Sequence, residues 1–176
     1  MPGFSKMTNS RDWLHIRPAL PNDMPAVLEI YNEEVLNSTS TYQYATRTLA
    51  DQLNLLQEKT REGHAFLVAQ TAEDQIVGYA SYGLFRPREG WRFTCEHSVY
   101  LHKNWRGKGI GLQLLKALTL HAKAQGFHSM VGVIDASNVG SMKMHTAAGF
   151  EVMGVFKEGG YKFEHWLDVA FVTIHL

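Results

Sequence analysis

The chain has 176 residues, of which 45% are hydrophobic and 19% charged, enough for one sizeable core and little more. Seventeen Lys and Arg balance seventeen Asp and Glu, so an anionic partner must be held by a local arrangement and not by the field of the whole molecule, which argues against nucleic acid as the main partner. Cys95 is the one cysteine and rules out an internal disulfide, "MPGFSKMTNSR" has no apolar stretch to serve as a leader, and no run reaches the roughly 20 apolar residues of a membrane helix, so a cytoplasmic protein is expected.

Residues 1–11 are polar and predict a flexible tail, leaving one domain over 12–176 with no repeats or linker-like tracts. "WLHIRPAL" reads as a first strand. In "NDMPAVLEIYNEEVLN", an Asn or Asp cap precedes Met24, Val27, Leu28, Tyr31 and Val35 at helical spacing. A second helix is predicted at "TLADQLNLLQEKTREG", with Leu49, Leu53 and Leu56 on one face and Gly63 as its stop. "AFLVAQ" and "QIVGYASYGLF" predict a hairpin turned by the polar "TAED", and "RFTCEHSVYL" predicts another strand, ending near Leu101. A long helix beginning at Gly109 or Ile110 carries Leu112, Leu115, Leu118, Leu120 and Ala122 and ends near Gly126, before the buried strand "SMVGVID". A short helix from about Asn138 to Ala148 stops at Gly149, and "EVMGVF" and "WLDVAFVTIHL" complete the pattern. Helices between strands early and a hairpin-like pair at the end give an α/β fold with a mixed sheet.

The segment "NWRGKGIGLQLLKAL" sets Gly107, Gly109 and Gly111 beside Arg106 and Lys108 at the start of the long helix. Unpaired N–H groups at a helix start, together with the helix dipole, attract phosphate, and glycine lets a ligand approach the main chain. The same glycines would also make a tight strand-to-helix turn, and the loop alone leaves both readings open. A Walker loop is excluded because no Gly-Lys-Ser/Thr ending follows, and a dinucleotide fingerprint because the spacing is Gly-x-Gly-x-Gly, late in the chain.

Arg106-Gly-Lys-Gly109-Ile-Gly111 resembles the acetyl-CoA signature of the GCN5-related N-acetyltransferases (GNAT), and the resemblance continues through "VIDASNVGSMKMHTAAGF", a strand, an Asn turn and a short helix ending Gly-Phe. Nearly the whole chain fits. "WRFTCEHSVYL", "SMKMHTAAGF" and "GYKFEHWLDVAF" are similar to the branch that acetylates phosphinothricin, methionine sulfoximine and methionine sulfone. The resemblance implies a mostly antiparallel sheet of about six to seven strands with about four helices. It also implies a splay between the strand ending at Leu101 and the strand at Met130 to Asp135, where the pantetheine arm of acetyl-CoA adds to a free edge. By the same resemblance Arg106, Gly107, Lys108, Gly109, Ile110, Gly111 and Leu112 cradle the diphosphate. Val99, Tyr100 and Leu101 offer main-chain partners to pantetheine, and Asn138, Ser141 and Ala147 lie along the cofactor. Asn138 also has an ordinary explanation as a helix cap.

Acetyl transfer to an amine requires removal of a proton from an ammonium and stabilisation of a departing thiolate. Alternation places Thr94, Glu96, Ser98 and Tyr100 on one side of their strand and Cys95, His97 and Val99 on the other. Glu96 is the candidate base, although a polar-face Glu is ordinary without the resemblance. His145 stands where many members of the superfamily carry a Tyr that protonates sulfur, which makes it the candidate acid, with a packed helix His as the plain alternative. "GLFRPREGWRFT" brings Arg86, Arg88 and Arg92 beside Phe85 and Trp91, suited to a carboxylate or phosphinate next to an aromatic wall. The narrower resemblance gives Arg86 or Arg88 the acidic group and has Glu89, Gly90 and Trp91 line the pocket, with Thr41 and Tyr42 of a polar-aromatic loop as weaker candidates.

Nine histidines fall at no zinc-ligand spacing, so no metal is expected. Cys95 on a strand reads as a buried small hydrophobe and not as a nucleophile. The expected reaction is direct transfer to the α-amine of a small amino-acid analogue by a homodimer whose interface includes "YKFEHWLDVAFVTIHL". Acetylation of peptide N-termini or polyamines, and a non-catalytic acyl-CoA-binding module, remain the alternatives.

Overall fold

A computed structural model describes residues 13–176, so the expected tail at 1–11 lies outside the described residues. Seven strands form one sheet in the order β1-β2-β3-β4-β5-β7-β6. They are β1 (Leu14–Pro18), β2 (Phe66–Thr71), β3 (Ile76–Leu84), β4 (Thr94–Leu101), β5 (Ser129–Asp135), β6 (Glu151–Lys162) and β7 (His165–His175). Neighbours are antiparallel except β4 and β5, which run parallel. The four α-helices are α1 (Met24–Asn37), α2 (Leu49–Glu62), α3 (Ile110–Ala124) and α4 (Val139–Ala147).

The helices cover the sheet on both sides because its central strands are apolar in both directions. Beneath α1 and α2, Met24, Val27, Tyr31 and Leu56 meet Phe66, Val68 and Tyr79. Beneath α3, Ile110, Leu114, Leu115 and Leu118 meet Leu67, Ala69, Ala80, Cys95 and Met130. Alternation along β4 therefore divides its side chains between two cores: Cys95 enters the α3 core, and Tyr100 packs on the α1 core.

Thr48 and Asp51 form the reciprocal cap of α2, and Gly63, the stop predicted from sequence, ends that helix in the left-handed region at φ 73°. The cap expected at the start of α1 is not made. Asp23 instead accepts the Leu20 N–H at 2.7 Å and pairs with Arg17 at 2.7 and 2.8 Å, bracing the turn that leads into α1. The last hairpin is longer than "EVMGVF" suggests, because two register shifts let β6 bend along β7 as far as Lys162.

Candidate active site

The site is a fork in the sheet. β4 pairs with β5 only at Thr94↔Ser129, Cys95↔Met130 and Glu96↔Val131. Beyond Glu96, β4 keeps its ladder with β3 from His97↔Tyr82 to Leu101↔Gly78, while β5 keeps its ladder with β7. The two strands separate, and the edge carrying Val99, Tyr100 and Leu101 faces an opening of the kind an extended amide-bearing group can join.

The glycine loop stands at one end of this opening. Gly107 and Gly109 have φ of 73° and 77°, and Gly109 directly precedes α3, so the turn needs their conformational freedom. At Gly111 a Cβ would lie 2.6 Å from the Met144 sulfur, so its smallness also lets α4 approach α3. Ile110 is fully buried, and Leu112 is partly so. Of the two cations, Arg106 forms an ion pair with the buried Glu34 of α1, and the Lys108 ammonium lies 4.3 Å from the centroid of the Trp105 ring. Both are thus held at the loop, where α3 presents its unpaired N–H groups.

Glu96 is the last β4 residue inside the ladder with β5, half-buried on the side of the sheet that carries Tyr100. Burial raises its pKa above the usual carboxylate range, and the positive charge of Arg86 opposes that rise. Above it on the same face, burial raises the pKa of Tyr100, and the neighbouring Thr41 and Ser98 side chains oppose that rise. Thr41 is 8% exposed, so the loop after α1 closes over this face of β4. Tyr42 packs its ring against Gly160, whose missing Cβ leaves the room, and its buried hydroxyl has no hydrogen-bond partner among the described residues. Burial pushes that phenol up to about 12.

Lys162 holds the loop, and its role was not apparent from sequence. Its side chain is 1% exposed, and its ammonium donates to the carbonyls of Ser38 and Thr41, both at 2.7 Å. Thr39 donates to Asp135 at the tip of β5, and Glu34 accepts from both Ser38 and Arg106. One buried carboxylate therefore touches both the glycine loop and the loop beside Glu96. The one available signal was a lysine closing an otherwise aromatic hairpin in "GYKFEHW".

His145 lies across the sheet from Glu96. It is 4% exposed, and both of its ring nitrogens are engaged: Nδ1 is 2.8 Å from the Ser141 carbonyl, and Nε2 is 2.8 Å from Nε2 of His97. His97 is 7% exposed, and its Nδ1 donates to the Val131 carbonyl at 2.9 Å. Burial lowers the pKa of His145 and, reinforced by the neighbouring ring, takes His97 down to about 3, so both rings are neutral at pH 7. Asn138 caps α4 by accepting the Ser141 N–H at 3.0 Å, the ordinary role weighed for it above. Ala147 is exposed beside an open depression of about 500 Å³ along α4, lined also by Val139, Met142 and Lys143.

Arg86, Arg88, Glu89, Gly90 and Trp91 form an exposed loop between β3 and β4. Arg86 stacks on Phe85, which meets Trp91 edge-on with centroids 5.3 Å apart. Arg92 turns away, over Phe93 and onto the Glu89 carbonyl. Of the loop's arginines, Arg86 is the one whose charge bears on Glu96. No cluster of His, Cys, Asp and Glu suited to a metal occurs among the described residues.

The profile of the acetyltransferase (GNAT) domain family matches residues 16–171. An L-methionine sulfoximine/L-methionine sulfone acetyltransferase of Pseudomonas aeruginosa is 44% identical over 92% of this chain and 94% of its own. Among solved structures, a phosphinothricin acetyltransferase of Sinorhizobium meliloti in complex with acetyl-CoA superposes with a TM-score of 0.90 at 37% identity, covering 93% of this chain and 88% of that one. A structure named ribosomal-protein-alanine N-acetyltransferase from Brucella melitensis gives a TM-score of 0.89 at 42% identity, covering 92% and 99%.

Proposed function

The chain belongs to the GNAT acetyltransferase family, and from that premise we propose that it transfers the acetyl group of acetyl-CoA to the α-amine of a small amino-acid analogue of the methionine sulfone, methionine sulfoximine or phosphinothricin type. The observation that carries the mechanism is the fork itself: the ladder of β4 and β5 ends at Glu96, so a thioester laid along the free edge of β4 arrives beside that carboxylate. The diphosphate rests on the N–H groups at the start of α3, with Arg106 and Lys108 adding charge, and pantetheine bonds to the main chain of Val99 to Leu101.

Glu96 takes a proton from the ammonium, and the freed amine attacks the thioester carbonyl. The C–N bond forms, the nitrogen gives up a second proton, and the C–S bond breaks as the sulfur takes one proton, for a net release of one. Burial raises the pKa of Glu96 from its ordinary value, which makes the carboxylate more basic. We assign stabilisation of the departing sulfur to His145, on the opposite side of the sheet. Arg86 holds the acidic group of the acceptor against Phe85 and Trp91, with Arg88 beside it, while Thr41 and Tyr42 roof the amine. Transfer is direct, because Cys95 is buried and burial pushes its thiol up to about 12.

A second reading, acetylation of a peptide N-terminus, is favoured by the name of the Brucella structure. The arginine loop favours an anionic small acceptor over it. Thiol release in the presence of acetyl-CoA and a panel of amines separates the two: release with methionine sulfone supports the first, and release only with alanyl peptides supports the second.

We also place the enzyme in the cytoplasm as a homodimer. The outer part of the last hairpin exposes Met153, Phe156, Tyr161 and Trp166, with Met153 at 70% and Trp166 at 65% exposure, an apolar surface suited to a second copy. Sedimentation at twice the monomer mass supports the dimer; a monomer contradicts it.

A further inference from the structure

His97 takes no part in the chemistry proposed above, yet it is a polar residue at the root of the cleft. It immediately follows Glu96, the last β4 residue paired with β5, and its ring reaches across to the carbonyl of Val131, the last β5 residue in that ladder. The next residue of β5 is Gly132. A Cβ at that position would lie 2.7 Å from the Cε1 of His97, 2.9 Å from a Val172 methyl and 3.4 Å from the Nε2 of His145. The ring therefore occupies the space where the next side chain of β5 would stand, and the Phe150 ring packs against it with centroids 5.3 Å apart.

The hydrogen bonding of the pair is constrained. A carbonyl only accepts, so His97 carries its proton on Nδ1 and offers Nε2 as an acceptor. His145 Nε2 lies 2.8 Å from that nitrogen, and its own Nδ1 faces the Ser141 carbonyl at 2.8 Å and the Ser141 hydroxyl at 3.4 Å. The two rings thus bridge β5 to β4 and β4 to α4 at the point where the strands part.

We propose that His97 is a positioning residue for the cofactor: its imidazole, seated on Gly132 and bonded to the Val131 carbonyl and to His145, sets the separation of β4 and β5 that admits the pantetheine arm. The inference rests on the reading that this cleft holds acetyl-CoA. Without the Nδ1 donor the Val131 carbonyl loses its side-chain partner across the fork, so the free edge at Val99 to Leu101 is no longer held at the spacing the cofactor needs.

The test is calorimetric titration of acetyl-CoA into wild type, His97→Ala and His97→Asn, with steady-state kinetics on each. Asn places an amide nitrogen close to the position of Nδ1 and can still donate to Val131. His97→Ala is expected to weaken acetyl-CoA binding by about five- to tenfold, the loss of one buried hydrogen bond, and to raise KM for acetyl-CoA but not for the acceptor. His97→Asn is expected to bind within about twofold of wild type. If His97→Ala does not fold, His97→Phe, which fills the space without a donor, is read in its place with the same expected weakening. Affinity unchanged in the donor-less variant, or lost as fully in His97→Asn, overturns the proposal. Wild-type protein that takes up no acetyl-CoA overturns the underlying reading as well.

Discussion

Glu96 and His97 are consecutive residues of one strand that face opposite sides of the sheet, the carboxylate toward the loop carrying Thr41 and the imidazole toward His145 on α4. A cleft opening between β4 and β5 at this point has a carboxylate on one side and an imidazole pair on the other. A direct acyl transfer needs such an arrangement, because proton removal and sulfur departure occur on different sides of the reacting carbonyl.

Replacing Glu96 by Gln should lower kcat/KM by about 10²- to 10⁴-fold at neutral pH, measured as thiol release under saturating acetyl-CoA. In wild type the acidic limb of the pH profile should lie above the ordinary carboxylate range, because burial raises the pKa of Glu96.

The same substitution should change stability in the opposite sense. A carboxyl whose pKa is raised by folding contributes stability below its unfolded pKa and loses it as pH rises through the folded value. Glu96→Gln should therefore melt higher than wild type at pH 7, with the gap closing below about pH 4, near the pKa of an unperturbed Glu. Equal melting temperatures throughout would mean that the carboxylate is not desolvated.

The imidazole pair has the reverse sign. His97, with its pKa lowered to about 3, binds fewer protons folded than unfolded. Its contribution is present above the unfolded value of about 6.5 and is lost as pH falls. Between pH 6.5 and 5 wild type should lose up to about 2 kcal/mol of stability in urea titrations on account of this ring. His97→Asn should lose correspondingly less.

Lys162→Met should destabilise the fold by about 2–3 kcal/mol, since it strands the carbonyls of Ser38 and Thr41 that the ammonium now satisfies. If the loop roofs the acceptor, KM for the amine should rise more than KM for acetyl-CoA.

Arg86→Ala should raise KM for an anionic acceptor by about tenfold and move the acidic limb upward, because Arg86 opposes the raised pKa of Glu96. Neither change is expected in Arg92→Ala, whose guanidinium is turned to Phe93 and Glu89.

Much of this fold could be read in the sequence because local chemistry and tertiary structure agree there. Gly63 ends α2 and Gly109 starts α3 because the chain needs a positive φ at both. Alternation in "RFTCEHSVYL" separates Glu96 from His97 without any knowledge of the partner strands. What the sequence hid depends on distant partners. Asp23, an expected cap, bonds to Arg17 on β1. Gly111 of the glycine loop also makes room for Met144 on α4. Lys162 is separated by 121 residues from the Thr41 carbonyl it holds, and His97 by 48 from His145. No periodicity reports such pairs.

The most direct measurement is thiol release from acetyl-CoA by purified protein offered methionine sulfone, compared with Glu96→Gln under the same conditions. Rapid release by wild type and loss of release in the variant, with acetyl-CoA still bound by both, is the predicted result. Bound acetyl-CoA with no release by wild type, or equal release by the variant, would contradict it.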